Sequence, residues 1–123
     1  MRGFGELEAA IMERLWARGE PTTVRQVLTD LRQRREIAYT TVLTVMDNLY
    51  KKGWLYRDTG GRAYRYTPVS TREEYGAQIM RQALDYSGDR NEALMHFVGR
   101  MTLEEAAALR NALRAYEREI SGR

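Results

Sequence analysis

Cysteine is absent from this 123-residue chain. That absence excludes a disulfide framework, thiolate metal sites, iron–sulfur clusters and thiol catalysis. Histidine occurs once, at His96, so one chain cannot build a multi-histidine metal site. No metal and no cofactor is expected. Long apolar runs are missing too: the longest, such as Ala9–Met12 and Ala106–Leu109, are four residues, far short of the ~20 that a membrane span needs. The opening Met1-Arg2-Gly3-Phe4-Gly5-Glu6 offers no apolar stretch for a signal peptide. The expectation is a soluble cytoplasmic protein that does not insert into a membrane and is not an enzyme.

What is present suffices for folding. Hydrophobic residues make up 43% and charged residues 30%, which is not the profile of a disordered polyelectrolyte. The 20 Lys and Arg exceed the 17 Asp and Glu by three, a weak excess until it is located. Residues 1–70 hold 12 basic and 8 acidic side chains, whereas residues 71–123 hold 8 and 9. The positive charge belongs to the first half, as in a nucleic-acid-binding head joined to an interaction module.

Local signals divide the chain into elements. Leu7, Ala10, Ile11 and Leu15 fall at helical spacing in a first helix over Glu6–Arg18, stopped by Gly19 and Pro21. Thr23 with Gln26 makes a capping box for a second helix, whose stripe is Val24, Val27, Leu28 and Leu31. A third helix is predicted from about Tyr39 to Lys52, ended by Gly53, with Val42, Val45, Met46 and Leu49 inward. Strands over Trp54–Asp58 and Ala63–Thr67 bracket Thr59-Gly60-Gly61-Arg62, a sequence that favours a tight hairpin with positive φ at both glycines. Three helices and then a hairpin read as a winged helix-turn-helix over residues 1–69. Residues 70–123 read as three further helices, with capping patterns at Ser70–Glu73, Asp89–Glu92 and Thr102–Glu105. The fold class is therefore mainly α with a small β-hairpin: a winged helix-turn-helix domain followed by a three-helix dimerisation region.

With its apolar stripe inward, the third helix turns Thr40, Thr44, Asp47 and Lys51 outward, flanked by Thr41, Asn48 and Leu43. Hydroxyls bond base edges or phosphates, and asparagine pairs with adenine. The three threonines weaken the helix, so a role beyond helix formation stands level with an ordinary solvated face. Asp47 either accepts from cytosine or neutralises Lys51 one turn on. On the hairpin, Arg57, Arg62 and Arg65 either grip a phosphate backbone or merely protect a sheet edge. The helix order before it favours the grip. The C-terminal segment is too short to supply a core alone, yet it carries apolar stripes that include Tyr75 and Ile79, Leu94 and Phe97, and Leu109, Leu113 and Tyr116. They fold back on the head or pair with a second chain. Short links favour a homodimer, which suits a two-fold operator.

The run Ala38-Tyr39-Thr40-Thr41-Val42 through Leu49-Tyr50-Lys51-Lys52-Gly53, the wing after it and Met95-His96-Phe97-Val98 resemble the BlaI/MecI/CopY family of transcriptional repressors, over nearly the whole chain. The resemblance implies a homodimer that represses transcription at palindromic double-stranded operators, in some members at β-lactam-responsive genes. By position, Thr40, Thr41, Thr44 and Asn48 would face bases, with Lys51, Lys52, Arg62 and Arg65 on or near phosphates. Some members are inactivated by a membrane sensor protease that cuts an Asn–Phe bond. Here the matching pair is His96–Phe97, which keeps only the phenylalanine. Copper-responsive members carry a cysteine cluster that this chain lacks. The competing reading is a winged-helix adaptor that binds protein and not DNA.

Overall fold

The computed structural model describes residues 3–123; Met1 and Arg2, which belong to the N-terminal stretch discussed above, lie outside the described residues. In chain order the elements are α1 (Glu6–Arg18), α2 (Val24–Leu31), α3 (Tyr39–Lys51), β1 (Leu55–Asp58), β2 (Arg65–Pro68), α4 (Arg72–Tyr86), α5 (Arg90–Gly99) and α6 (Leu103–Ser121). The chain divides into two compact units, Met1–Met80 and Arg81–Arg123.

In the first unit, three helices close over one core. Ile11, Met12 and Leu15 of α1 meet Val27, Leu28 and Leu31 of α2 and Val42, Met46 and Leu49 of α3. Each stripe repeats at three and four residues, so it stays on one face of its helix. Helix ends follow local chemistry. Gly19 takes the left-handed conformation at φ 67° and its N–H donates to the Leu15 carbonyl, closing α1. At the start of α2 the Thr23 hydroxyl accepts from the Gln26 N–H while the Gln26 side chain accepts from the Thr23 N–H.

The hairpin seals the open side. β1 and β2 pair antiparallel, with Leu55 opposite Pro68 and Arg57 opposite Tyr66. Leu55 and Tyr66 point into the core, as alternation on a half-buried strand requires. Thr22, on the turn before α2, exchanges both backbone hydrogen bonds with Tyr66, at 3.0 and 2.8 Å. That single-residue rung makes the wing's base effectively three-stranded. Thr22 is fully buried, and its hydroxyl is satisfied by donating to the Glu20 carbonyl at 2.7 Å.

The hairpin differs from its sequence expectation. Its strands are shorter, and six residues, 59–64, connect them. Neither Gly60 nor Gly61 has positive φ, because the Asp58 carboxylate accepts the Gly60 N–H at 3.0 Å and opens a wider turn. The cap of α4 also lies one residue later than expected. Thr71 and Glu74 form the reciprocal pair, at 2.9 and 3.0 Å, in place of Ser70 and Glu73.

Tyr75 departs from the expected dimerisation set. Its ring belongs to the first unit, in a cluster with Phe4, Trp16 and Trp54, and its hydroxyl accepts the Phe4 N–H at 2.7 Å. Trp16 in turn donates its indole N–H to the Ser70 carbonyl at 2.8 Å. These contacts carry the first unit past residue 69 to Met80.

The second unit contains the end of α4 with α5 and α6. Asp89 caps α5 by accepting from the Glu92 N–H at 3.1 Å, and Thr102 with Glu105 forms a full capping box on α6. Asp85 holds Arg81 and Arg90 at 3.4 and 3.3 Å. Despite these local ties, α5 and α6 bury no residue.

Candidate nucleic-acid interface

The polar face of α3 survives folding intact. Thr40, Thr41, Thr44 and Asn48 are all exposed, while the Val42, Met46 and Leu49 face is at or near zero exposure. Asp47 is occupied: its carboxylate holds Lys51 at 3.0 Å and Arg57 at 3.2 Å. Lys51, followed by its neighbours, keeps that carboxyl below its ordinary value. Of the two roles open to Asp47 in the sequence, neutralising Lys51 is the one the fold uses within the chain.

Ion pairing sorts the remaining cations. Arg14 and Arg18 converge on Asp30 at 3.3 and 2.9 Å, Arg35 reaches Glu6 at 2.8 Å, and Lys52 reaches Glu8 at 2.9 Å. Lys52, grouped by sequence with the phosphate contacts, is thus tied to α1. Its ammonium, together with the Gly5 N–H and against some burial, holds the Glu8 carboxyl below its ordinary value. Among the described residues, Arg25, Arg62 and Arg65 form no ion pair, nor do Arg32 and Arg34 on the turn after α2.

Two of these arginines, Arg25 and Arg62, line one groove. A cleft of about 400 Å³ runs between the start of α2, the start of α3 and the wing, lined by Thr23, Arg25, Tyr39, Leu43, Arg62 and Tyr64, among others. Arg25 packs over the Tyr39 ring at 5.0 Å. Arg65 lines a neighbouring hollow of about 230 Å³ with Glu20, Pro21, Thr23 and Gln26, so the two wing arginines do not share one cleft. Arg25 and Tyr39 are the residues that sequence reasoning passed over. The available signal was the one cation of α2, two residues from its own cap.

The candidate dimerisation residues are distributed unevenly. Tyr75 and Ile79 are half-buried within the first unit. In the second unit, Leu94, Phe97, Leu113 and Tyr116 are each about half exposed, and Leu109 is half-buried. His96 lies at the surface of this chain: its side chain is 80% exposed, with Nε2 3.7 Å from Glu92 Oε1. No cluster of metal-ligating side chains occurs among the described residues, and no helix is long and apolar enough to cross a membrane.

Comparison with known proteins supplies the family. Residues 4–115 match the model of the penicillinase repressor family. The transcriptional regulator BlaI from two strains of Mycobacterium tuberculosis is 49% identical over 117 residues, which cover 93% of this chain and 85% of the relative. A cysteine-to-serine variant of ZitR from Lactococcus lactis superposes over 98% of this chain and 80% of its own, at a TM-score of 0.41 and 12% identity, too remote to bear on the reading. A match over most of the chain, together with a close relative of nearly the same length, places it: the chain belongs to the penicillinase repressor family, a family of transcriptional repressors and not of enzymes.

Proposed function

We propose that this chain is a homodimeric, sequence-specific repressor that seats α3 in the major groove of a palindromic operator. The observation that carries the reading is the groove between α3 and the wing, with the unpaired Arg25 and Arg62 on its walls and an exposed Thr40, Thr41, Thr44 and Asn48 face beside it. Phosphates bound by the arginines would fix register, and the polar side chains of α3 would read base edges. Lys51 keeps a 68% exposed side chain and adds to the positive rim, as does Arg65.

The second copy is argued from the C-terminal unit. Leu94, Phe97, Leu113, Tyr116 and Ile120 leave about half of their surface in water, and Leu103 is 88% exposed. So much unburied apolar surface on consecutive helices calls for a partner. A second copy also brings two reading heads to two half-sites.

The family resemblance further implies induction by cleavage, with His96–Phe97 as the candidate bond and a membrane sensor protease as the partner. Both side chains are exposed. Cutting there would detach α6 from the head.

Selection of bound duplexes from a random-sequence pool by the full chain tests the reading. Enrichment of an inverted repeat, with affinity falling steeply as salt rises, is expected. Equal retention of unrelated duplexes would overturn sequence-specific repression, and no retention even at low salt would favour the protein-binding adaptor.

A further inference from the structure

We propose that Arg57, one of three arginines on the wing, does not bind phosphate but latches the wing to the reading helix and sets the width of the groove between them. The proposal rests on the DNA-binding reading above and adds a positioning residue to it. The guanidinium carbon of Arg57 lies 4.0 Å from the centroid of the Tyr50 ring and 4.0 Å from that of the Tyr64 ring. Tyr50 belongs to α3 and Tyr64 to the loop of the hairpin, so one planar cation joins the helix to the hairpin loop, and Tyr64 in turn lines the groove. A third contact completes it: Arg57 Nη1 lies 3.2 Å from Asp47 Oδ1, again on α3.

The arrangement accounts for the donors and the charge together. Arg57 is 22% exposed, against 68% for Lys51, which shares the same carboxylate. A phosphate reaching Arg57 would have to displace Asp47 and push the Tyr50 and Tyr64 rings aside. Arg62, on the same hairpin, has neither tie among the described residues and lines the groove directly. Sequence alone cannot separate the two, because both are arginines on one exposed hairpin.

The chemistry also separates them experimentally. Lysine replaces arginine at a phosphate as a point charge, but its ammonium cannot lie flat between two rings. The probe is the duplex enriched from a random pool by the wild-type chain, titrated at several salt concentrations. Arg57→Ala and Arg57→Lys should each lose about tenfold in affinity, the size expected from two cation–π contacts and an ion pair. Their slope of log affinity against log salt should match the wild type. Arg62→Ala should flatten that slope by about 0.9, the value for one lost phosphate contact. In the free protein, amide exchange over residues 59–64 should quicken in both Arg57 variants, while exchange over residues 39–51 stays as in the wild type. Tyr64→Leu removes one ring from an exposed loop, leaves the core residues Leu55 and Tyr66 in place, and should show the same loop exchange.

An Arg57→Ala slope flattened by about 0.9 and restored by Arg57→Lys would make Arg57 a phosphate ligand and overturn the latch. Unchanged affinity with unchanged exchange would overturn it as well. A wild-type chain that retains no duplex would instead sink the DNA-binding reading, and loop exchange alone would then decide whether Arg57 is a latch.

Discussion

The ring of Tyr75 lies flat on that of Phe4, with centroids 4.2 Å apart and planes 6° from parallel. Its hydroxyl accepts the Phe4 backbone N–H at 2.7 Å. One side chain from the start of α4 therefore anchors the segment that leads into α1. Trp54 meets both rings edge-on, at 4.9 and 5.4 Å, and Trp16 completes the cluster.

Loss of this stack should be felt as stability. Tyr75→Ala should lower the unfolding free energy of the full chain by about 2–3 kcal/mol, below a fully buried aromatic because Tyr75 is only half-buried. Tyr75→Phe, which keeps the stack and loses one hydrogen bond, should cost about 1 kcal/mol. Both tryptophans of the chain lie in the cluster, so intrinsic fluorescence during urea unfolding reads it directly. An unchanged midpoint in Tyr75→Ala would contradict the assignment.

Acid should loosen the contact between α1 and α2 through Asp30. Hydrogen bonding from Arg18, opposed by burial and helped by Arg14, keeps this carboxyl below its ordinary value of 3.8. A depressed folded-state value means stability that is present above 3.8 and is lost as pH falls through the folded value. Asp30→Asn should therefore be less stable than wild type at pH 7, by about 1–3 kcal/mol for the charge-assisted bonds. The two proteins should converge under strongly acidic conditions. A gap that persists undiminished at low pH in thermal unfolding would show that the charge is not the cause.

Charged replacements at Leu113 and Tyr116 test the second copy. The double variant Leu113→Glu, Tyr116→Glu should run at the monomer mass in light scattering and bind its duplex more weakly. Unchanged dimer mass would move the interface off α6.

Base reading and backbone holding should fail differently. Asn48→Ala should cost about 1–3 kcal/mol on the selected duplex and relax preference at one base position. Arg25→Ala should weaken all duplexes alike and reduce the salt slope by about one contact. Equal losses on every sequence for Asn48→Ala would mean that it positions the helix and does not read a base.

Helix boundaries were legible because each rests on a neighbour within four residues: the Gly19 stop, the Thr23–Gln26 box and the Thr102–Glu105 box all fall where the sequence puts them. The cap of α4 was ambiguous for an equally local reason. Ser70 and Thr71 stand next to each other three residues before Glu73 and Glu74, so the same spacing is satisfied twice. Partnership across distance was not legible. Tyr75 lies on an apolar stripe that looks alike whether it packs on its own head or on another chain, and only Phe4, 71 positions away, settles which. Arg57 resembles Arg62 until Tyr50 and Tyr64 close around it. The groove was half visible: Arg62 follows from the hairpin and the threonine face beside the groove from periodicity, whereas Arg25 needs the fold to bring α2 alongside α3.

The rung between Thr22 and Tyr66 splits the wing into a base and a tip with different freedoms. Below it, strand, turn and core are tied together, since Tyr66 is at once a ladder partner and a core side chain. Beyond Asp58 the loop 59–64 is held by its own turn, by the rings around Arg57 and by the edge-on contact of Tyr64 with Tyr66. Changes in length or composition at Gly60 and Gly61, where no positive φ must be preserved, would leave the scaffold untouched. The hairpin is in that sense a fixed handle with an exchangeable tip, through which related chains could come to prefer different operator flanks while keeping one fold.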